Sequence, residues 1–90
     1  MRVLHAAETI KGGVATVVNE LIKDQAMYFW VDSITLLVPE SQKEYIQQVS
    51  GSEINVFKRT GRNIRSFRNF HESLRLIVKN GCYDVIHLHS

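Results

Sequence analysis

The sequence lacks the features that would mark a disulfide-rich, membrane-spanning or secreted protein. It has a single cysteine, Cys82, in 90 residues, so an internal disulfide framework is excluded and a reducing compartment is expected. No apolar run approaches the ~20 residues that a membrane span requires. The N-terminal stretch MRVLHAAETI makes a poor secretory signal, because a glutamate follows a very short apolar run. We therefore expect a cytoplasmic protein.

An excess of charge of one sign is also missing from the chain as a whole. The basic residues number 11 and the acidic residues 9, giving a formal net charge of +2, so the chain is not a polycation built for nucleic acid. With 44% hydrophobic and 22% charged residues, the composition is that of one small globular domain. The sequence contains no internal repeat, low-complexity tract or linker.

Residues 58–68 are the exception, because they concentrate positive charge and contain no acidic residue. A solvated helix face is the plainest interpretation. Contact with anionic lipid headgroups is the second, because basic residues are interleaved with aromatic ones there. Nucleic acid comes last, because no base-reading module has such an α/β arrangement. The lipid hypothesis places a peripheral membrane contact at Arg62, Arg65 and Arg68.

Along the chain, short apolar runs alternate with segments of helical period. Residues 2–6, 33–38, 53–57 and 84–90 are predicted strands, and Pro39 stops the second of them. Three helices are predicted between the strands, the first running from Val14 toward Ala26.

The second predicted helix begins with Ser41 and Glu44, which match a capping box, and ends at Gly51. Its apolar face consists of Tyr45, Ile46 and Val49. The third predicted helix starts at Ile64 and has the strongest apolar stripe in the chain. It ends at Asn80 and Gly81, where glycine can take a left-handed conformation at little cost.

The order β-α-β-α-β-α-β predicts a three-layer, Rossmann-like α/β fold on a parallel sheet. Right-handed crossovers favour strand order 3-2-1-4, with the first two helices on one face and the third on the other. The fourth strand would then be a bare apolar edge, which natural domains seldom leave. We therefore expect an incomplete sheet, in which residues 1–90 are the front part of a longer protein. Pairing of this edge with a second copy is an alternative.

In such a sheet, ligands bind beyond the carboxyl ends of the strands, where the strand order reverses. That crevice lies between the first and fourth strands and contains the glycine bend, Gly12 and Gly13. The bend opens a helix whose free N–H groups suit a phosphate. A simple tight turn explains the two glycines equally well. Neither a G-x-G-x-x-G nor a Walker spacing is present, which argues against a nicotinamide cofactor.

Three histidines fall on the two strands that border this crevice. His87 and His89 point to one face of their strand, and His5 lies on the neighbouring strand. A metal site would need all three, and no cysteine or carboxylate cluster supports one, so we expect no metal and a packed, hydrogen-bonded His5 and His87. His89 and Ser90, at the strand end, are better placed to contact a hydroxyl-rich ligand.

Further polar residues lie near the same edge. Arg62 and Asn63 follow the third strand and are candidates for substrate contact. Glu8 is interpreted as a surface or helix-capping residue, and Cys82 lacks the histidine partner that a nucleophile needs.

Three stretches resemble the N-terminal domain of bacterial glycosyltransferases with two Rossmann-like domains (the GT-B fold). They are RVLHAAETIKGGVATVVNEL, DSITLLVPES and YDVIHLHS. The resemblance is to the retaining group called family 4, or group 1, and spans all 90 residues. Its most specific pieces are the Glu-x-x-x-Gly-Gly loop (Glu8, Gly12, Gly13) and the Asp-Val-Ile-His-x-His strand (84–89).

The resemblance implies a sugar transfer from a nucleotide-sugar donor to a glycan or lipid-linked acceptor, in surface-polysaccharide synthesis. In the family the glycine pair lines the cleft and admits the donor phosphates, and the region after the third strand helps to bind acceptor. The catalytic histidine and most of the donor pocket lie in parts that this chain lacks. The 90 residues are therefore expected to be an acceptor-side domain, inactive alone, with no catalytic residue and no cofactor of their own.

Two other hypotheses stay open. The chain could be a small Rossmann-like module that binds a nucleotide or phosphorylated ligand without catalysis. It could also be an interaction domain that pairs through its fourth strand.

Overall fold

The computed structural model describes residues 1–10, 12–47 and 51–89. Along the chain the elements are β1 (Arg2–Ala7), α1 (Gly13–Gln25), β2 (Ser33–Pro39), a 3₁₀ helix (Glu40–Tyr45), β3 (Ser52–Phe57), α2 (Ile64–Asn80) and β4 (Val85–His89). Strands and helical segments alternate as the sequence predicts. Within the described ranges, no helix is long and apolar enough to cross a bilayer.

The strands form one parallel sheet of order β3-β2-β1-β4, which confirms the predicted topology. β1 is central, and its His5 lies opposite Leu36 of β2 and His87 of β4. Because all strands run in one direction, their carboxyl ends share one edge of the sheet. The β1–α1 loop and the end of β4 therefore lie at the same edge, where Ala7 is paired with His89.

Most of the core lies on the face covered by α1, which we call the α1 face. Helix α1 begins at Gly13, the second glycine of the bend, and buries the residues that recur at helical spacing. Alternate residues of β1 and β2 meet them, because side chains on a strand alternate between faces. The buried cluster consists of Ala7, Ile10, Ala15, Val18, Ile22, Ile34, Leu36, Val38 and Ile46.

The opposite face, the α2 face, has a smaller core. Its buried residues are Ala6, Leu37 and Phe57. Three residues of the predicted stripe on α2 pack against them but stay partly exposed: Phe70, Leu74 and Ile77. Helix α2 thus covers the face of the sheet opposite α1, as predicted, and completes the three-layer arrangement.

The second helix differs from the prediction, since it is a 3₁₀ helix that starts at Glu40, directly after Pro39, and ends at Tyr45 instead of Gly51. No described side chain caps its N-terminus. The capping box of Ser41 and Glu44 is therefore wrong.

After the 3₁₀ helix the chain becomes extended at Ile46 (φ −94°, ψ 130°), whose side chain is buried in the α1 face. Two hydrogen bonds of Asn19 hold this extended stretch: its Nδ2 donates to the Tyr45 carbonyl and its Oδ1 accepts from the Gln47 backbone N–H, both at 2.9 Å. A continuing helix could not make both bonds. The predicted apolar position Val49 lies outside the described residues.

Helix α2 ends at Asn80 as predicted, but Gly81 is not left-handed. Its backbone is extended (φ −114°, ψ 161°), a conformation that any residue can adopt. Space explains the glycine instead, because a Cβ at Gly81 would lie 2.5 Å from the ring of Tyr83. The guanidinium of Arg2 sits over that ring, 5.2 Å from its centre.

Candidate functional site

The glycine bend and the end of β4 border one open pocket of about 460 Å³ at the carboxyl edge of the sheet. It is lined by Gly13, Val14, Val17 and His89. The two pieces of sequence that the topology was expected to bring together are therefore neighbours. Their role toward a ligand stays a prediction.

The two glycines of the bend differ in their backbone conformation. Gly12 has φ 64° and ψ −131°, which L side chains rarely adopt, whereas Gly13 is the first residue of α1 and has no positive φ. A Cβ added at either would meet no heavy atom within 4 Å. Gly12 is thus required for the turn, while Gly13 leaves open space beside the pocket.

No side chain of the described residues caps the N-terminus of α1, and its first turn contains no acidic residue. The first backbone N–H groups of a helix have no partner within the helix and carry partial positive charge. This end of α1 thus offers donors at the mouth of the pocket, which suits an anionic oxygen.

The loop leading to the bend is held in place from a different element. Buried Gln42 of the 3₁₀ helix accepts two hydrogen bonds through Oε1, from the Ile10 backbone N–H at 2.8 Å and from the Thr9 hydroxyl at 3.2 Å. The Ile10 side chain is fully buried below the loop. The predictions missed Gln42, because a lone glutamine in a polar segment carries no signal of burial.

An ion pair anchors the same loop on its other side. The Nε of Arg59 lies 3.4 Å from Oε1 of Glu8, with both side chains partly buried. Glu8 therefore does not cap the helix; it ties the β1–α1 loop to the segment after β3. Arg59 belongs to the basic segment 58–68, where its neighbourhood gave no hint of this partner.

The three histidines form a cluster on the α1 face, next to the pocket. Oε1 of Gln25 accepts from His5 Nε2 at 2.7 Å, so that nitrogen carries the ring proton. His5 Nδ1 then accepts from His89 Nε2 at 2.9 Å. The rings of His87 and His89 stack with centroids 3.9 Å apart. The predicted packing and hydrogen bonding of His5 are thus present, and its hydrogen bonds reach His89. The predicted packing of His87 is wrong, because its side chain is exposed.

Burial governs the charge state of two of these rings. Desolvation lowers the pKa of His5, which is 1% exposed, against a smaller upward effect of the Gln25 hydrogen bond. Desolvation, followed by the repulsion of a charged His87 and His5, lowers the pKa of His89 to about 4. Both imidazoles are therefore neutral at pH 7 and keep a lone pair for hydrogen bonding or metal binding.

The cluster also has the composition of a metal-ligand set. His5, His87 and His89 each offer one ring nitrogen, and these nitrogens all lie within 4.8 Å of one another. His5 is buried, His89 half-buried and His87 exposed, so the set is open on one side. Sequence spacing indicated the shared face of His87 and His89, and the predicted strand order placed His5 on the neighbouring strand. The register adds that His5 lies directly opposite His87.

The remaining predicted site residues lie apart from the pocket. Asn63 is the N-cap of α2, where its Oδ1 accepts from the Ser66 backbone N–H at 2.9 Å and its Nδ2 donates to the Thr60 hydroxyl at 3.3 Å. Arg62 is exposed beside it. Neither lines the pocket, and their contact with substrate stays a prediction. Ser90 lies outside the described residues.

The basic segment continues onto the outer surface of α2. A second open depression of about 410 Å³ is lined by Arg65, Arg68, Ile64, Asn69 and Glu72. It lies on another element than the glycine bend, so the membrane hypothesis and the ligand hypothesis concern separate surfaces.

Comparison with known proteins finds a bacterial protein of similar sequence. No family profile and no solved structure matches the chain. A protein of Klebsiella pneumoniae described as an "uncharacterized 41.2 kDa protein in cps region" is 41% identical over all 90 residues. The chain spans 23% of the length of that protein, so the similarity concerns about a quarter of it.

Proposed function

We propose that the chain is the acceptor-side part of a retaining GT-B glycosyltransferase that builds a bacterial surface polysaccharide. The observation that carries the proposal is the shared pocket of the glycine bend and the β4 end, in a sheet of order 3-2-1-4. The resemblance predicts a sugar-nucleotide cleft at this place.

The residues at the pocket suit a phosphorylated, hydroxyl-rich ligand. The N-terminus of α1, which no described side chain caps, can donate backbone N–H groups to phosphate oxygens. The open space at Gly13 lets such a group approach the backbone. His89 is neutral and can hydrogen-bond a sugar hydroxyl from the opposite wall, while Val14 and Val17 supply apolar contact.

The similar protein supports the polysaccharide assignment. Its description places it in a cps region, which we interpret as a region for capsular polysaccharide. Because the chain spans 23% of that protein, a second domain that completes the donor site fits within the remainder. We accordingly expect the 90 residues alone to transfer no sugar, and the complete protein to act in the cytoplasm.

Nuclear magnetic resonance of the ¹⁵N-labelled chain tests the pocket directly. The probes are inorganic pyrophosphate, UDP and GDP, which share a diphosphate. We expect shifts at Gly13, Val14, Val17 and His89. No shift at millimolar probe, or shifts confined to Arg65 and Arg68, would contradict the proposed cleft.

A pair of valine variants sharpens the test. Val17→Asp places a carboxylate in the pocket and should abolish the shifts by repelling phosphate. Val78→Asp introduces the same charge at an exposed valine of α2, outside the pocket, and should leave them unchanged. Equal effects of the two variants would show that the probes do not bind in this pocket.

Transfer itself is tested on the longer protein that contains these residues. Incubation with nucleotide sugars and a lipid-linked acceptor should give a glycosylated product, which Val17→Asp should reduce at least tenfold. Diphosphate binding by the chain without turnover by the longer protein would favour the alternative, a binding module without catalysis.

A membrane contact through α2 is the second proposal. Ile64 and Phe67 are 77% and 61% exposed beside Arg65 and Arg68, so apolar and basic groups share one surface. Co-sedimentation with vesicles should require anionic lipid and should fall in the double variant Arg65→Ala, Arg68→Ala. Binding that is unchanged in this variant would refute the contact.

A further inference from the structure

We propose that His5, His87 and His89 form a binding site for a divalent transition-metal ion, of which Zn²⁺ is the representative. The inference is independent of the sugar-transfer proposal, because it needs only the histidine cluster. Imidazole nitrogen suits zinc, nickel and copper, and three such ligands leave a fourth position for water or a ligand oxygen.

The sheet positions the ligands on two neighbouring strands. His87 and His89 are two residues apart on β4 and therefore share a face, and His5 of β1 lies directly opposite His87 in the register. The three ring nitrogens come within 4.8 Å of one another. The pairing of β1 with β4 therefore already places the three side chains next to one another.

Gln25 supplies the supporting contact that a metal-binding histidine usually has. Its Oε1 accepts from His5 Nε2 at 2.7 Å, which leaves the Nδ1 lone pair of a buried ring directed at His89. Metal-binding histidines commonly donate their second ring N–H to a carbonyl or carboxylate oxygen, which selects the tautomer and orients the ring. His5 is thus oriented for binding through Nδ1 without any movement.

The other two rings require a small adjustment. Zinc–nitrogen distances of about 2.0–2.1 Å place tetrahedral ligand nitrogens about 3.4 Å apart. His5 Nδ1 and His89 Nε2 are 2.9 Å apart and joined by the hydrogen bond that the ion would replace. His89 would bind through Nε2 after its proton moves to Nδ1. The exposure of His87 and the position of His89 at the end of β4 leave both rings free to separate.

The test uses the tag-free 90-residue chain, stripped with a chelator and titrated with Zn²⁺ by calorimetry and with Co²⁺ by visible absorption. We expect one ion per chain and the intense absorption of tetrahedral Co²⁺. His87→Ala and His89→Ala should each weaken binding more than tenfold. Gln25→Ala should weaken it roughly 10–100-fold through the orientation of His5.

His71 provides the matched control, because it is exposed on α2, away from the cluster. His71→Ala should bind the ion as the unaltered chain does. Since replacement of buried His5 could unfold the chain, ring ¹⁵N spectra of the unaltered protein report its role instead, through a shift of His5 Nδ1 on Zn²⁺ addition. Absence of saturable binding, equal losses in His71→Ala and His87→Ala, or an unshifted His5 Nδ1 would each overturn the proposal.

Discussion

The two faces of the sheet differ in a way that the strength of their helix patterns does not predict. Helix α2 has the stronger apolar stripe, yet Ser66 is its only fully buried side chain among the described residues. Helix α1 has the weaker stripe and buries Ala15, Val18 and Ile22. A helical pattern therefore indicates which side faces the sheet, whereas the extent of burial depends on what else covers that face.

Neighbouring segments explain the difference. On the α1 face, Ile10 of the loop and Ile46 after the 3₁₀ helix are buried in the same cluster as the strand residues. On the α2 face none of the described segments covers β4, so Ile86 and Leu88 remain 44% and 61% exposed. The α1 face is consequently the better-packed half of the molecule, and it also carries the pocket and the histidines.

A pair of core truncations should give the largest contrast between the faces. Leu36→Ala removes a fully buried side chain of the α1 face and should lower the free energy of unfolding by about 2–5 kcal/mol. Leu74→Ala, on the partly exposed α2 stripe, should cost about 1 kcal/mol, because less area and a smaller cavity are involved. Urea denaturation of both variants gives the comparison.

If Leu36→Ala does not fold, a milder pair carries the same contrast. Ile22→Val removes one methylene from a buried position on α1 and should lower the free energy of unfolding by about 1 kcal/mol. Ile77→Val removes one methylene from a partly buried position on α2 and should lower it by only about 0.3 kcal/mol. Equal losses at the two positions would show that the faces are packed alike.

The buried hydrogen bonds of Gln42 should give the next largest effect. Gln42→Ala leaves the Ile10 backbone N–H buried without an acceptor, which should cost about 1–3 kcal/mol. Gln47→Ala is the matched control, since that side chain is exposed. Hydrogen exchange at Ile10 should accelerate only in the Gln42 variant, and unchanged protection there would contradict the role of Gln42 as the anchor of the loop.

The two glycines that open α1 should respond differently to alanine. Gly12→Ala forces a side chain onto a positive φ and should cost about 1–2 kcal/mol. Gly13→Ala falls within the first helical turn, meets nothing within 4 Å, and should be neutral or slightly stabilising. Thermal unfolding of both variants tests this. A costly Gly13→Ala would mean that the second glycine is also needed for the turn.

Some features of the fold and of the candidate site could be predicted from the sequence, and others could not. Periodicity and crossover handedness were enough for the strand order, for the layers and for the meeting of Gly13 with His89, because all three follow from backbone rules. The burial of Gln42, the partner of Arg59 and the proton held by His5 were not accessible, since each depends on one contact between residues far apart in sequence. The capping box at Ser41 was wrong because the helix already starts at Glu40, directly after Pro39. Its predicted continuation to Gly51 was wrong because Asn19, on another helix, holds the chain extended beyond Tyr45.

Acid should lower the stability of the protein through the histidines of the α1 face. Of the four predicted effects, this one should be the smallest. The pKa of His89 is lowered to about 4 in the folded chain, against 6.5 for the unperturbed group. Above pH 6.5 both the folded and the unfolded state hold this ring neutral, so its stabilising contribution is complete. Between pH 6.5 and about 4 the ring is protonated in the unfolded state but stays neutral in the folded state. The free energy of unfolding therefore decreases as the pH is lowered through this range.

The size of this loss is on the order of 1 kcal/mol, because His89 is partly solvated and its shift is screened. Denaturation profiles in chelator, for the unaltered chain and for His89→Gln, isolate the effect. Their difference should be constant above pH 6.5 and shrink toward pH 4, while His71→Gln should follow the unaltered chain throughout. A difference that does not change with pH would mean that His89 titrates alike in the folded and unfolded states. The cluster would then not be desolvated, and the better packing of the α1 face would not extend to the carboxyl ends of the strands, where the pocket lies.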